Sequence, residues 1–250
     1  MKISLYLTPG LVDEQALREK IVVAIDVLRA STTMITALKS GAREIVPATT
    51  IESAVKIAAN LDAHQTILGG ERHGRIIEGF QLGNSPGEYT EERVKGKTIV
   101  FTTTNGSQAV VRSRYARELI VCGFVNLTVV RDHLVQKPSD IAVICAGRNG
   151  DFSMEDTVCA GMLVSMVSEG ATEPPVLCDA AAAALVLYRS LGKSLLTMME
   201  HTDHGRYLQE IDMGDDLRVC AAVDAVPVLP VYEGNVLRLR KTDTTEPPAR

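Results

Sequence analysis

A carboxylate and an arginine stand three residues apart, directly after a short apolar run. The run extends from Ile21 to Ile25, and Asp26 and Arg29 follow it. Arg29 can bind an anion through two parallel hydrogen bonds, and Asp26 offers the oxygen ligands that Mg²⁺ prefers. If the run is a strand, both side chains lie at its carboxyl end, where open α/β sheets bind ligands. The spacing therefore indicates a centre for an anion beside a divalent cation.

Three hydroxyl side chains, Ser31, Thr32 and Thr33, follow as the chain is expected to turn into a helix. The start of a helix offers free backbone N–H groups and a partial positive charge to a phosphate or sulfonate. We therefore expect Ser31 and Thr32 to act together with Asp26 and Arg29 at a catalytic centre. The structural alternative is that Ser31 only caps the helix while Asp26 pairs with Arg29.

A second polar segment also lies between an apolar run and a helix-length segment. It contains Thr103, Thr104, Asn105 and Gly106. Hydroxyls, an amide and a glycine that lets the backbone approach a ligand can form a cradle for an oxyanion. We expect these four residues to bind substrate, with a plain loop and helix caps as the alternative.

A third region, Gly69–Arg75 with Gly83–Pro86, shows no regular period and is expected to form a long loop. Long loops without their own structure are usually functional or disordered. Basic side chains beside Glu71 indicate an anion pocket, and a solvated surface loop is the alternative. The substrate-binding candidates of this region are Arg72, Arg75, Asn84 and Ser85.

A fourth segment leaves the apolar run that ends at Cys145 and leads into a helix. Within it Arg148 is the candidate contact for a substrate anion. Ser153 and Asp156 have the spacing of a helix start, and that local role explains both without any catalysis.

Carboxylates from three of these segments could form an oxygen-rich magnesium site. We expect Asp26, Glu71 and Asp156 to be its ligands, and Glu155 could also contribute.

Other candidate ligands are expected to be solvated. His201 and His204 are three residues apart, but no third metal ligand is evident near them, and their neighbours Asp203 and Gly205 are typical of a loop. Further along, Asp215, Asp216 and Asp224 are expected to lie on an exposed face.

Apolar, β-branched runs alternate with helix-length segments over much of the chain. A first strand is predicted within Met1–Gly10, a segment that ends in a turn signal, and further strands before residue 146 at Ile21–Ile25, Ile45–Val46, Thr66–Leu68, Thr98–Phe101, Leu119–Val121 and Ile141–Cys145. The predicted helices are Thr33–Lys39, Ile51–Leu61, Ser107–Arg114, Asp156–Ser168 and, capped by Asp179, a segment that ends near Leu191. Two closing strands are predicted at Val226–Tyr232 and Val236–Leu239. Continuous apolar strands are typical of a sheet covered on both faces, so we expect an α/β fold in three layers, α/β/α, built from βα units.

Residues 1–240 are expected to form a single unit, with a sub-boundary allowed near 170–176 and a disordered tail at 241–250. Ala42–Ile45 and Ala116–Leu119 resemble each other, and each enters a predicted strand. The similarity indicates two similar lobes, with coincidence as the alternative.

Composition excludes several classes of protein. Of 250 residues, 46% are hydrophobic and 23% charged, as in ordinary globular domains. Aromatic residues make up only 4% and the net charge is -5, so a nucleic-acid partner is not expected. No apolar stretch reaches the ~20 residues of a membrane span. The five cysteines lack metal-binding spacing, which favours reduced thiols and a cytoplasmic protein. A homodimer is the default expectation.

Five segments, taken together and in order, resemble the 2-phosphosulfolactate phosphatases from about residue 3 to Tyr232. They are Asp26–Thr33, Gly70–Arg72, Gly79–Pro86, Thr103–Gly106 and Cys145–Asp156. The resemblance implies an α/β enzyme that uses Mg²⁺ to hydrolyse 2-phospho-3-sulfolactate to sulfolactate and phosphate, in the route to coenzyme M. A small dianionic substrate is compatible with the available arginines.

The sequence is compatible with alternatives for the nucleophile, the substrate and the class of protein. The nucleophile is either a water molecule or Asp26, because Leu28 stands where haloacid-dehalogenase phosphatases have a second aspartate. The substrate could be another small phosphorylated hydroxy acid. The third alternative is a non-catalytic sensor that binds a dianion.

Overall fold

The computed structural model describes residues 1–137 and 139–240. In these residues eleven strands form one sheet: β1 (Lys2–Tyr6), β2 (Ile21–Ile25), β3 (Glu44–Pro47), β4 (Thr66–Arg72), β5 (Arg75–Ile76), β6 (Thr98–Thr102), β7 (Glu118–Cys122), β8 (Ile141–Cys145), β9 (Val176–Leu177), β10 (Pro230–Glu233) and β11 (Val236–Leu239). The α-helices of the same residues are α1 (Ala30–Lys39), α2 (Ile51–Ala58), α3 (Glu91–Val94), α4 (Gly106–Arg112), α5 (Leu127–Val135), α6 (Met154–Gly170), α7 (Asp179–Leu191), α8 (Leu195–Glu200), α9 (Asp203–Glu210) and α10 (Asp215–Cys220).

The sheet consists of two parallel groups joined by an antiparallel hairpin. Its strand order is β5-β4-β6-β3-β11-β10-β7-β2-β8-β1-β9. β4, β6 and β3 run parallel, as do β7, β2, β8, β1 and β9, while β10 and β11 form the hairpin between the groups. β2 is central in its group, where Val23 pairs with Ile120 on one side and Val143 on the other.

Helices cover both faces of β2, and for this reason its sequence is apolar throughout. Successive side chains of a strand point to opposite faces. Ile21, Val23 and Ile25 accordingly pack into a core with helices α5 to α10, whereas Val22 and Ala24 pack into a second core with α1 and α4. The predicted three-layer α/β/α architecture is confirmed.

Helices α1 and α4 each carry the chain from one parallel group to the other. α1 connects β2 to β3, and α4 connects β6 to β7. The two similar segments, Ala42–Ile45 and Ala116–Leu119, therefore occupy corresponding places at the entries to β3 and β7. β9, which follows residues 170–176, extends the edge of the same sheet beside β1. The division into domains stays a prediction.

The prediction of a loop at Gly69–Arg75 was wrong. β4 continues to Arg72 and then turns into β5. Gly70 makes this continuation possible, because a Cβ atom there would lie 1.9 Å from the carbonyl oxygen of Thr102 on β6. The two backbones approach closely only where the side chain is missing, and this close approach does not follow from the local sequence pattern.

The carboxyl-terminal third also differs from the predictions. The polar stretch after Leu191 forms three short helices, α8, α9 and α10. Cys178, not Asp179, is the N-cap of α7, and the first closing strand begins at Pro230 rather than Val226. The tail predicted to be disordered, 241–250, lies outside the described residues.

Across the described ranges, no helix combines the length and the apolar character that spanning a membrane requires. Cytoplasmic location, the absence of a nucleic-acid partner and a homodimer stay predictions.

Candidate active site

One cavity of about 240 Å³ collects residues that lie at or directly after the carboxyl ends of β2, β4, β6 and β8. It is lined by eight of the predicted site residues: Asp26, Arg29, Glu71, Asn84, Thr103, Thr104, Asn105 and Arg148. It is also lined by residues that were not predicted: Leu28, His73, Gly74, Asn149, His204 and Tyr207. The other predicted residues, Ser31, Thr32, Arg72, Arg75, Ser85, Gly106 and Asp156, do not line it.

Asp26 is held by the turn from β2 into α1. Its backbone N–H donates to Oγ of Ser31 over 2.9 Å, and its carboxylate oxygen Oδ1 accepts the N–H of Ala30 over 3.3 Å. The hydroxyl of Thr32 donates to the carbonyl oxygen of Val27. The predicted catalytic hydroxyls of Ser31 and Thr32 therefore fix the turn and do not reach the cavity.

The carboxyl group of Asp26 lies in an environment that opposes its charge. Burial is the main cause, and the carboxylates of Glu71 and Glu155 add to it against the hydrogen bond from Ala30. Together they raise the pKa of Asp26 to about 8. Strongly shifted acids in a cleft are typical of functional sites, where burial and neighbouring charges change the pKa of an ionisable group.

Arg29 forms an ion pair with Asp216 on α10. The alternative prediction, a pair between Arg29 and Asp26, was wrong. Nη1 of Arg29 lies 2.6 Å from Oδ2 of Asp216, and its Nη2 donates to the carbonyl oxygen of Gly74. The hydroxyl of Ser85 donates to the other oxygen of Asp216 over 2.6 Å. The prediction that Asp216 is exposed was wrong, and Ser85 supports the wall of the cavity.

Glu71 and Asp156 each bind two backbone N–H groups. Glu71 accepts from Thr104 and Gly74, both over 2.8 Å. Asp156 accepts from Val27 over 2.8 Å and from Gly147 over 3.1 Å. Burial and the charge of Asp26 raise the pKa of Asp156 well above its ordinary value. Both carboxylates therefore tie the loops around the cavity together.

The predicted ligand set of Asp26, Glu71 and Asp156 is not assembled. Within residues 1–137 and 139–240, no three Asp, Glu, His or Cys side chains are arranged to hold a metal ion. Asp156 does not line the cavity, because both of its oxygens face backbone N–H groups. Asp26 and Glu71 do line it, and Mg²⁺ is usually held by one or two carboxylates together with substrate phosphate and water. These two residues fit such an ion, whose charge would offset their mutual repulsion.

The polar segment after β6 forms part of the cavity wall. The side-chain oxygen of Asn105 accepts the N–H of Asn149 over 3.0 Å, which joins the loops after β6 and β8. Gly106 lies against Asp26, since a Cβ atom there would be 2.6 Å from Oδ2 of Asp26. Among the described residues, the buried oxygens Oδ1 of Asn84 and Oγ1 of Thr104 have no hydrogen-bond partner. Buried polar atoms are rarely left without partners, so these two are available to a ligand.

Three predicted arginines have different positions. Arg148 lines the cavity, its guanidinium lies 5.0 Å from the ring centre of Tyr207, and no described carboxylate forms an ion pair with it. Arg72 donates to the carbonyl oxygen of Glu71 and to Oγ1 of Thr102, whereas Arg75 is exposed on β5. Arg148 is thus the arginine of the cavity that is left to meet an anion.

The prediction that His204 is solvated was wrong. It lies on α9 and lines the cavity, with its Nδ1 3.4 Å from Oε1 of the buried Glu155. His201 is exposed, as predicted. A signal for α9 was present, because the hydroxyl of Thr202 caps the helix by accepting the N–H of Gly205. The packing of this helix against the cavity could not be predicted from the sequence.

Fold and cavity together define a three-layer α/β protein with a cavity lined by charged residues at the ends of its strands. The model of the family described as 2-phosphosulpholactate phosphatase matches residues 6–235. The chain belongs to this family of phosphoric monoester hydrolases.

Relatives named "Probable 2-phosphosulfolactate phosphatase" match along nearly their whole length. The protein of Symbiobacterium thermophilum is 40% identical over 226 residues, which cover 90% of this chain and 97% of the relative. That of Caldanaerobacter subterraneus is 35% identical over 238 residues, 95% of this chain and 98% of the relative. That of Clostridium acetobutylicum is 35% identical over 238 residues, 95% of this chain and 100% of the relative.

Proposed function

We propose that this protein hydrolyses the phosphate ester of 2-phospho-3-sulfolactate, giving sulfolactate and phosphate in the route to coenzyme M, with Mg²⁺ as its cofactor and the cytoplasm as its location. Membership of the family supports the substrate. The observation that carries the proposal is that one cavity holds a buried acid, Asp26, and an arginine, Arg148, that has no carboxylate partner among the described residues.

The cavity supplies contacts for an anion. The guanidinium of Arg148 can donate two hydrogen bonds to one oxyanion. The hydroxyl of Thr104 can donate to an anion, whereas Oδ1 of Asn84 is an acceptor and can bind a hydroxyl group or a water molecule. Arg29 contributes mainly to the shape of the wall, because its charge is balanced by Asp216.

A magnesium ion would be held by Asp26 and Glu71. When bound, it would supply positive charge to the phosphoryl oxygens. Asp156 acts indirectly, because its hydrogen bonds to Val27 and Gly147 keep the strand ends that carry Asp26 and Arg148 in place.

We propose that water, rather than Asp26, attacks the phosphorus atom. Leu28, two residues after Asp26, is 3% exposed and lines the cavity, so no carboxylate occupies that position to assist a phospho-aspartate. The stereochemical course at a phosphorus atom made chiral with oxygen isotopes tests this step. A single attack by water should invert the configuration at phosphorus; retention of configuration, or a trapped phospho-Asp26, would contradict it.

The assay that tests the function measures phosphate release from a panel of phosphorylated hydroxy acids, with and without Mg²⁺. We expect release from 2-phospho-3-sulfolactate, dependent on Mg²⁺ and faster than from analogues that lack the sulfonate. A faster reaction with another phosphate ester of the panel would change the assigned substrate and leave the enzyme class unchanged. Tight binding of these dianions without any turnover would instead indicate a sensor.

A further inference from the structure

The contact between Glu155 and His204 joins two distant parts of the chain at the edge of the cavity. Glu155 lies in the first turn of α6 and is 2% exposed, while the side chain of His204 is 16% exposed. Nδ1 of His204 lies 3.4 Å from Oε1 of Glu155, so Nε2 is the ring nitrogen left to meet a ligand. His204 and Asp26 line the same cavity.

The corner between α8 and α9 holds the imidazole in this place. Gly205, directly after His204, packs so closely that a Cβ atom there would lie 1.8 Å from the carbonyl oxygen of Met199. The hydroxyl of Thr202 accepts the N–H of Gly205 over 3.0 Å and donates to the same oxygen of Met199 over 2.9 Å. These contacts hold the backbone before His204, at Thr202, and after it, at Gly205.

The imidazole of His204 is the charge partner of the buried carboxylate of Glu155. Burial alone would raise the pKa of Glu155, but the hydrogen bond and charge of His204 hold that pKa below its ordinary value. An unpaired buried carboxylate is costly, so this acid is kept charged by its partner. In enzymes, a carboxylate on one nitrogen of a histidine orients the other for proton transfer.

We propose that His204 is the general acid of the reaction and that Glu155 is its positioning residue. The inference rests on the proposed phosphatase function and adds the group that protonates the leaving oxygen, which family membership does not supply.

The chemical step balances without another reactant. The oxygen of water forms a bond to phosphorus as the bond from phosphorus to the ester oxygen breaks. The electron pair of the broken bond stays on the ester oxygen, which takes the proton from Nε2 of His204 and leaves as an alcohol. The proton released by the attacking water restores His204 through the solvent.

Leaving groups of different basicity test the proposal. An alkyl phosphate releases a strongly basic alkoxide and needs a proton, whereas p-nitrophenyl phosphate releases a stable phenolate. For His204→Gln we expect about a 10²- to 10⁴-fold lower kcat/KM with the alkyl ester, and less than about tenfold with p-nitrophenyl phosphate. Glu155→Gln should show the same selectivity with a smaller loss, because the histidine remains.

His201→Gln is the matched control, because His201 is exposed three residues earlier and does not line this cavity. It should leave both rates unchanged. Equal losses on both esters in His204→Gln, or no loss on either, would overturn the role of His204 while leaving the phosphatase function intact.

The unaltered protein gives a second test that does not depend on a variant folding. Over a series of phosphate monoesters, protonation of the leaving group predicts only a shallow dependence of kcat/KM on leaving-group basicity, and a steep dependence would contradict it. Absence of phosphate release from every ester would overturn the proposed function itself, and this inference with it.

Discussion

The side chains of Arg29 and Asp216 form a buried ion pair across 187 residues of sequence, with Nη1 and Oδ2 2.6 Å apart. Only 2% of the Arg29 side chain and 8% of the Asp216 side chain are exposed. Arg29 lies at the start of α1 and lines the cavity, and Asp216 lies on α10, so the pair connects these two helices. It thereby connects the carboxyl-terminal helices to the wall of the site.

Replacing Asp216 by Asn should destabilise the fold, because it leaves the charge of Arg29 buried without its partner. Breaking a buried pair in this way costs about 3–5 kcal/mol. Urea unfolding measures the change. The neighbouring Asp215 is exposed, and Asp215→Asn should stay within about 0.5 kcal/mol of the parent. Equal effects of the two variants would show that the pair does not contribute.

Arg148→Ala should weaken substrate binding while the fold remains stable. Loss of a hydrogen bond between charged groups costs about 1.5–3 kcal/mol, which corresponds to a rise in KM of roughly 10- to 100-fold. Steady-state kinetics with the preferred substrate measures it. Arg75→Ala provides the control, because Arg75 is exposed and outside the cavity. If Arg75→Ala had the larger effect, the assignment of the anion contact would be wrong.

Gly106→Ala should lower activity by displacing Asp26. The added Cβ would lie 2.6 Å from Oδ2 of Asp26 and 2.6 Å from Cβ of Ala30, so the turn must shift. A displacement of about 1 Å can cost on the order of 10²-fold in rate. Gly10→Ala is the control. Its added Cβ would lie 3.7 Å from the nearest atom, so kcat should not change. Full activity of Gly106→Ala would mean that the position of Asp26 is not critical.

Glu118 should make the fold sensitive to acid. Burial would raise its pKa, but hydrogen bonds to His133 and Lys137 lower it from 4.5 to about 2. Because the folded pKa is the lower one, the stabilisation is complete above about pH 4.5 and is lost as the pH falls toward 2. It amounts to about 3 kcal/mol at most.

Urea unfolding between pH 6 and about pH 2 tests this contribution. Glu118→Gln should be less stable near pH 6 and should lose less stability on acidification than the parent. Glu233→Gln, at an exposed position, is the control and should follow the parent. An unchanged acid dependence in Glu118→Gln would contradict the assignment.

The layers of the fold could be predicted because the strands are buried on both faces. Ile21–Ile25 and Ile141–Cys145 were predicted with the bounds that the structure shows, since continuous apolar runs are typical of strands buried on both faces. The turn after Asp26 was also located from sequence. The roles of individual hydroxyls there could not be predicted. The Oγ of Ser31 accepts the N–H of Asp26, and only the orientation of the side chain distinguishes this role from that of a cap or a ligand contact.

The rest of the site depends on contacts between distant segments. Asp216 and His204 lie in a polar stretch without a strong apolar period, so their burial arises from packing against α1 and α6 and not from local pattern. In the same way, Asp156 was placed at a metal site because of its charge. Its two backbone partners, Val27 and Gly147, show instead that it joins two loops.

The most direct test of the account is phosphate release by Asp26→Asn, measured with 2-phospho-3-sulfolactate over a range of Mg²⁺ concentrations. Asp212→Asn is the control, because Asp212 is exposed and its left-handed backbone, with φ 64°, suits Asn. We predict that Asp26→Asn folds normally but loses Mg²⁺-dependent release, while Asp212→Asn keeps it. Release by Asp26→Asn at the rate of the parent would contradict the central role of Asp26 in this cavity.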